Sequence, residues 1–215
     1  MGNSKKKICI VGTGGFGRET LCCLIDMLAN TGIRATEVAC FMVDDEYLNE
    51  KIIMGINVIP RSQFRAELYD AVVAVGSPKD RKKIVEGLPP DTTYTSIIHP
   101  TAVISSWVEI GEGSIVTAGT IITCNVKIGK HAQLNLHSTI GHDCVIGDYF
   151  TTAPAVNISG FCEFGNLVYI GTNASVRDRV RICDNVTIGM GATILKDITE
   201  EGIYIGNPAR RLEKK

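Results

Sequence analysis

The fold class that the sequence predicts is an α/β domain over residues 1–99 followed by a parallel β-helix over residues 100–215. Three observations predict it. From Val103 to Ile198 the chain divides into sixteen consecutive six-residue units with no slip in register. Near the amino terminus an apolar run, KKKICIV, leads straight into Gly12-Thr13-Gly14-Gly15-Phe16-Gly17 and then into a segment with helical apolar spacing. Between these regions, short apolar strand-like runs alternate with helix-like ones, the pattern of a parallel sheet with crossovers.

Length and composition bound what such a chain does. At 215 residues it is one large domain or two small ones. The net charge is -1 and the basic residues are scattered, which argues against a nucleic-acid or membrane surface. No run of eighteen apolar residues and no signal-peptide core is present, so a cytoplasmic location is expected. Met1-Gly2-Asn3-Ser4 opens like a myristoylation motif, but its serine falls at the wrong position. The eight cysteines occupy apolar strand-like and helical runs, and Cys144 and Cys162 share one repeat position eighteen residues apart. They read as small core residues of a reduced protein, and the lack of a CxxC pair argues against structural zinc.

In chain order, Lys5 to Val11 reads as the first strand and Arg18 to Asn30 as the first helix, with Leu21, Leu24, Ile25 and Leu28 on one side. A GxGxxG turn between strand and helix suits a phosphate, because glycine lets the backbone approach and the helix start carries partial positive charge. Glu37 to Val43 is a second strand ending in Asp44-Asp45, a pair placed to meet a ribose hydroxyl or a base edge. Ile52 to Ile59 is expected as a short strand and Arg61 to Leu68 as a helix. Ala71 to Val75 is a buried strand ending at Gly76-Ser77, Pro78 to Glu86 a helix, and Tyr94 to Ile98 the last strand before His99-Pro100. The region is too short for a full dinucleotide fold, so a mononucleotide or nucleotide-sugar is the expected ligand.

The repeat follows from period six, which neither an amphipathic helix nor a simple meander gives. The second position of each unit is Ile, Leu, Val or Phe in fifteen of sixteen, with Thr152 the exception. Position three is often glycine, as at Gly111, Gly129 and Gly141, and is expected to supply the positive φ of each turn. Three units per coil place residues eighteen apart on neighbouring coils. That makes roughly five coils, about 25 Å tall at the usual strand spacing. In this frame His142 sits on a corner of the prism with Asp143 beside it and Gly160 one coil above. A lone corner histidine reads first as a solvated turn residue, but a neutral imidazole with a carboxylate to fix its tautomer and a glycine leaving room beside it also suits a general base. No Cys or Ser is paired with this histidine in a nucleophile arrangement, so direct attack is expected over a covalent intermediate. His131 and His137 lack such partners and read as interface or surface residues.

Seven blocks carry a resemblance to a known family: IVGTGGFGRE, FMVDDE, AVVAVGSPKDRKK, IIHPTA, NLHSTIGHDCVIGDY, APAVNISG and IGNPAR. In their order and spacing the chain resembles, over nearly its whole length, the NeuD/PglD group of hexapeptide-repeat sugar acyltransferases. The resemblance implies a left-handed β-helix and a Rossmann-like nucleotide-binding domain. It also implies acetyl-CoA as co-substrate without a metal, and a homotrimer with active sites between subunits. It assigns the general base to His142, its orienting acid to Asp143, the thioester-contacting N–H to Gly160, and an asparagine of the site to Asn135. Gly12, Gly14, Gly15, Asp44, Asp45, Gly76 and Ser77 match positions that hold UDP. Phe16 and Thr151 stand where many members carry histidine, and Thr151 is expected to face acetyl-CoA; Lys196 and Arg210, near the last coil, read either as partners of its phosphates or as a solvated charge cluster.

The expected activity is therefore N-acetylation of a nucleotide-linked, UDP-type amino-deoxy sugar in glycan or surface polysaccharide synthesis. O-acetylation of a sialic acid-type sugar is the alternative within the enzyme class. A metal site on His137 and His142 lacks a third ligand, since Thr101 and Ser106 stand two coils upstream. A nucleotide-sugar sensor without catalysis is the third reading.

Overall fold

A computed structural model describes residues 6–213. The Met1–Ser4 motif, Lys5 and the last two residues of the expected terminal cap lie outside the described residues. The α/β part contains β1 (Lys7–Val11), α1 (Gly15–Leu28), the single turn α2 (Ala35–Val38), β2 (Ala39–Val43), β3 (Ile52–Ile53), β4 (Ile56–Pro60), β5 (Tyr69–Val73), α3 (Pro78–Glu86) and β6 (Thr93–Tyr94). The sheet order is β3-β4-β2-β1-β5-β6, parallel throughout except for β3. With β1 central, the carboxyl ends of β1, β2 and β5 meet at one edge, the ligand edge of an open α/β sheet. Leu21 and Leu24 of α1 are fully buried, a burial worth about 1.5 to 3 kcal/mol each.

Three elements differ from expectation. The strand over 52–59 is broken by Met54 and Gly55, both at positive φ, and becomes an antiparallel hairpin. The helix expected over 61–68 is only a 3-10 turn at Arg61–Gln63. Beyond it, buried Phe64 and Ala66 alternate with exposed Arg65 and Glu67, a period of two that no helix satisfies. The strand expected over 94–98 divides: Tyr94 ends the α/β sheet, while β7 (Ile97–Ile98) pairs with Ile115–Val116 and opens the solenoid.

From Ile97 to Ile194 the strands of each face pair in parallel at intervals of eighteen residues, and the chain winds into a three-faced prism. The first face runs through Ile97, Ile115, Gln133, Thr151 and Tyr169. The second runs through Val103, Ile121, Thr139, Asn157, Ser175 and Thr193, and the third through Glu109, Lys127, Val145, Glu163 and Arg181. Second- and sixth-position side chains fill the interior, including Cys144 and Cys162, both fully buried and free. At Thr152 the hydroxyl accepts from the Asn135 N–H at 2.9 Å and bonds Ser138 Oγ, which is how a polar residue fits an apolar column.

The turn geometry corrects one expectation. Positive φ falls at every fifth position from Gly113 to Gly191, including Asn125, His131, His137, Asp143, Phe161 and Arg179. The third-position glycines serve another purpose. A Cβ on Gly111 or Gly141 would lie 2.5 to 2.7 Å from the backbone of the next coil, so these glycines let the corners stack.

The α/β domain covers the first face as well as the amino-terminal end of the prism. Ile97 and Ile115 join the cluster formed by Leu21, Leu24 and Phe41. Asp26 of α1 bonds His99 Nε2 at 2.9 Å. At the centre of the contact lies Arg81, fully buried, with no carboxylate among its partners. Its guanidinium donates to the carbonyls of Val75 (2.7 Å), His131 (2.9 Å) and Tyr149 (2.7 Å), and to Thr151 Oγ1 (2.8 Å). Burial lowers its pKa to about 9, so it stays charged at neutral pH. Beside it His131 is packed between Tyr94 and Tyr149, and burial lowers its pKa to about 4. His131 is thus an inner residue of the domain contact, not a surface one. No helix among the described residues is long and apolar enough to cross a membrane.

Candidate active site

Corner stacking builds the site. The turn between the second and third faces carries, coil by coil, Cys124-Asn125, His142-Asp143, Gly160-Phe161 and Asp178-Arg179. His142 Nδ1 lies 2.7 Å from Asp143 Oδ2, and Asn125 Nδ2 donates to Asp143 Oδ1 at 2.5 Å. The hydrogen bonds from Asn125 and then from His142 hold the Asp143 carboxyl below the usual carboxylate range. An ionised Asp143 makes Nδ1 the protonated nitrogen of a neutral imidazole, so Nε2 carries the lone pair. The ring is half exposed and lies flat over Gly160, where a Cβ would come within 2.7 to 3.0 Å of it. The space that a Gly160 side chain would need is therefore filled by the imidazole itself, and the glycine is there to admit the ring. The Gly160 N–H makes no hydrogen bond among the described residues, whereas the matching N–H groups of Lys130, Asp148 and Asn166 on another corner are bonded by side chains of the next coil. Phe161 meets the imidazole edge-on at 5.0 Å, and Arg179 stacks on Phe161 at 4.4 Å. Asn125, Phe161 and Arg179 escaped the sequence reading, though each stands a multiple of eighteen from Asp143.

Other expected residues fall elsewhere. Asn135 lies on a different corner, between the first and second faces, with His137. Its Oδ1 accepts from the Leu136 N–H, and its amide nitrogen donates to no described residue. Thr151 requires correction: it is buried, accepts from Arg81 and donates to the Gly76 carbonyl at 3.2 Å, so it belongs to the domain contact and not to an acetyl-CoA surface. Lys196 and Arg210 do share a cleft, of about 280 Å³, with Tyr204 and Pro208. Lys196 is on the His142 corner three coils above it, roughly 14 Å along the prism at the usual spacing.

A second cleft, of about 300 Å³, opens at the ligand edge of the α/β sheet, lined by Gly12, Thr13, Asp44, Tyr47, Arg61 and Val75 among others. Gly12 has φ +107, and an added Cβ would lie 3.2 Å from the Ala74 carbonyl, so only glycine fits. Gly14 is the N-cap of α1, and a Cβ on Gly14 or Gly15 would meet nothing, leaving the helix start open to an anion. Asp44 pairs with Arg61 at 3.2 Å on the cleft wall. Asp45 departs from its expected part: both its oxygens accept from Ser62, through the backbone N–H at 3.0 Å and through the hydroxyl, which pins the 61–63 turn. Gly76 gives its carbonyl to Arg81 and Thr151, and the Ser77 hydroxyl caps α3, so any ligand contact there falls to the backbone.

The PglD N-terminal domain model matches residues 7–88, and the bacterial transferase hexapeptide model matches residues 161–196. GDP-perosamine N-acetyltransferase from Escherichia coli O157:H7 is 29% identical over 222 residues, covering 95% of this chain and 96% of that protein. Among solved structures, WeeI from Acinetobacter baumannii AYE is 30% identical with a TM-score of 0.87, covering 97% of this chain and 100% of the other. The acetyltransferase domain of PglB from Neisseria gonorrhoeae FA1090, in complex with acetyl coenzyme A, is 27% identical with a TM-score of 0.83 over 97% and 100%.

Proposed function

The chain belongs to the PglD-like family of hexapeptide-repeat sugar acyltransferases, and on that premise we propose that it transfers acetyl from acetyl-CoA to the amino group of a nucleotide-linked amino-deoxy sugar. The observation that carries the reading is the oriented imidazole: His142, fixed by Asp143 and laid over a glycine whose N–H is unpartnered. Acetyl-CoA, when bound, supplies the acetyl group and leaves with the thiol. The chain does the rest. His142 Nε2 takes the proton lost by the attacking amine, Asp143 steadies the resulting imidazolium, and His142 returns the proton to the departing sulfur. The Gly160 N–H is our candidate donor to the developing oxyanion. The residues fit the co-substrate, because Lys196 and Arg210 offer positive charge to its phosphates at one end of the corner.

Topology supports a shared site. The α/β domain covers the first face, whereas His142 stands on the opposite corner between the second and third faces. A sugar held at Gly12 and Asp44 of one chain is thus directed to His142 of another, within a homotrimer. Asn135 and His137, on the corner nearer the α/β domain, would then flank a neighbour's imidazole. UDP is the nucleotide expected from the matched blocks, and GDP, named for the E. coli relative, is the competitor. We take the enzyme to work in a reducing cytoplasm, which its free cysteines suit, and to serve surface-glycan synthesis.

The test is thiol release from acetyl-CoA with UDP-, dTDP- and GDP-linked 4-amino-4,6-dideoxy sugars, and with sialic acid as the O-acetylation control. Rapid turnover on one amino sugar, lowered at least about a hundredfold in His142→Ala, is expected. Unchanged turnover in that variant removes His142 from the mechanism, and nucleotide binding without turnover on any acceptor favours a sensor.

A further inference from the structure

The catalytic corner holds a third polar side chain that the family reading leaves without a part. Asn125 sits one coil below Asp143, in the same left-handed turn position, and gives its Nδ2 hydrogen to Asp143 Oδ1 at 2.5 Å. Asp143 in turn uses its other oxygen, Oδ2, for His142 Nδ1 at 2.7 Å. The two oxygens therefore have separate tasks, one anchored from below and one facing the imidazole.

The plain alternative is that asparagine simply suits a turn with positive φ. Asn173 and Asn185 occupy the same turn position elsewhere in the solenoid, with φ of 59 and 60. Their side chains, however, make no hydrogen bond among the described residues, and Asn185 Oδ1 is buried without a partner. A side-chain bond to the next coil is thus no automatic companion of asparagine at this position. At Asn125 it is present, and it points to the one carboxylate that touches the base.

Rotation is the reason such an anchor matters. The Asp143 side chain is about one-third exposed and attached to a turn, so with only the imidazole to hold it the carboxylate can rotate about Cβ–Cγ. A donor on the far oxygen removes that freedom and fixes the direction from which Nδ1–H is held. Acceptance by a carboxylate from a neutral amide is also stronger than between two neutral groups.

We propose that Asn125 is a positioning residue for the acetyl transfer, acting through Asp143 to hold His142 in its proton-accepting orientation over Gly160. This rests on His142 being the base, so His142→Ala is measured alongside. Asn125→Gly keeps the left-handed turn and deletes only the donor. It is expected to lower kcat about 5- to 20-fold, leaving KM for both substrates within about twofold and Tm almost unchanged. Asn125→Asp also suits the turn and nearly matches the size, but sets a carboxylate against a carboxylate, and is expected to lose more, about 50-fold. A double-mutant cycle with Asp143→Asn decides the route: the Asn125→Gly effect should nearly vanish once the Asp143 carboxylate is gone. A kcat for Asn125→Gly within twofold of the parent enzyme, or a loss that simply adds to that of Asp143→Asn, overturns the proposal. If instead His142→Ala is fully active, it is the reading of the base that fails.

Discussion

The buried contact at Arg81 and the open corner at His142 are built from the same repeat, yet they are finished to different degrees. At Arg81 the guanidinium is fully enclosed and every nitrogen of it meets an acceptor, Nη1 in the α/β domain and Nε and Nη2 in the prism. At His142 the imidazole is half exposed, one of its nitrogens is committed, and the neighbouring Gly160 N–H has no partner among the described residues. One is closed over by the chain itself; the other is left open to solvent. The contrast teaches that one repeat can build both a rigid seam, which sets the carboxyl edge of the α/β sheet against the prism, and an open corner, which the proposed chemistry would use.

The largest expected effect breaks the enclosed side. Arg81→Met leaves the Val75, His131 and Tyr149 carbonyls without their buried donor. It should cost on the order of 3 to 5 kcal/mol, read as a fall in the urea midpoint. An unchanged midpoint would assign the contact to the apolar packing of Ile97 and Ile115 on α1 alone. A smaller effect sharpens the open side. In Gly160→Ala the new Cβ collides with the imidazole, which can swing outward, so stability should hold while kcat drops about 10- to 100-fold. A matching loss of Tm would mean that the ring is as enclosed as Arg81.

The smallest effect concerns pH. Burial keeps the folded His131 pKa near 4, below the usual value near 6.5. The unfolded chain therefore gains the proton first on acidification. Stability is fully present above about pH 6.5 and declines toward pH 4. Between pH 7 and pH 5 the loss should be about 2 kcal/mol. Urea unfolding at the two pH values should show that loss in the parent protein and little of it in His131→Phe. An equal loss in both would move the acid sensitivity elsewhere.

Much of this architecture could be read from residues alone, because period six constrains almost every position from Val103 to Ile198. The same period made His142, Asp143 and Gly160 neighbours on paper. What stayed hidden depended on contacts that periodicity does not encode. Arg81 lies in a segment that reads as an ordinary charged helix, and nothing in its spacing announces a carbonyl-lined hole. Thr151 looked like an outward residue of the prism. Its column holds Ile97 and Ile115, while the third face shows Glu109, Lys127, Glu163 and Arg181, and that difference marks the first face as the covered one. The turn at Arg61–Gln63 and the hairpin at Met54–Gly55 were lost to local chemistry, an Asp45–Ser62 clasp and a two-residue reversal.

The left-handed fifth position has one more consequence. It accepts Asn, His, Asp, Tyr, Ala, Phe, Leu and Arg alike, at nearly one backbone angle. Side chains along an edge can therefore be exchanged without moving the scaffold, and the separation between any two of them comes in whole coils. The prism is a graduated rule: removing eighteen residues between Gly160 and Lys196 would bring the basic cleft one division, about 5 Å, nearer the imidazole and leave both ends intact.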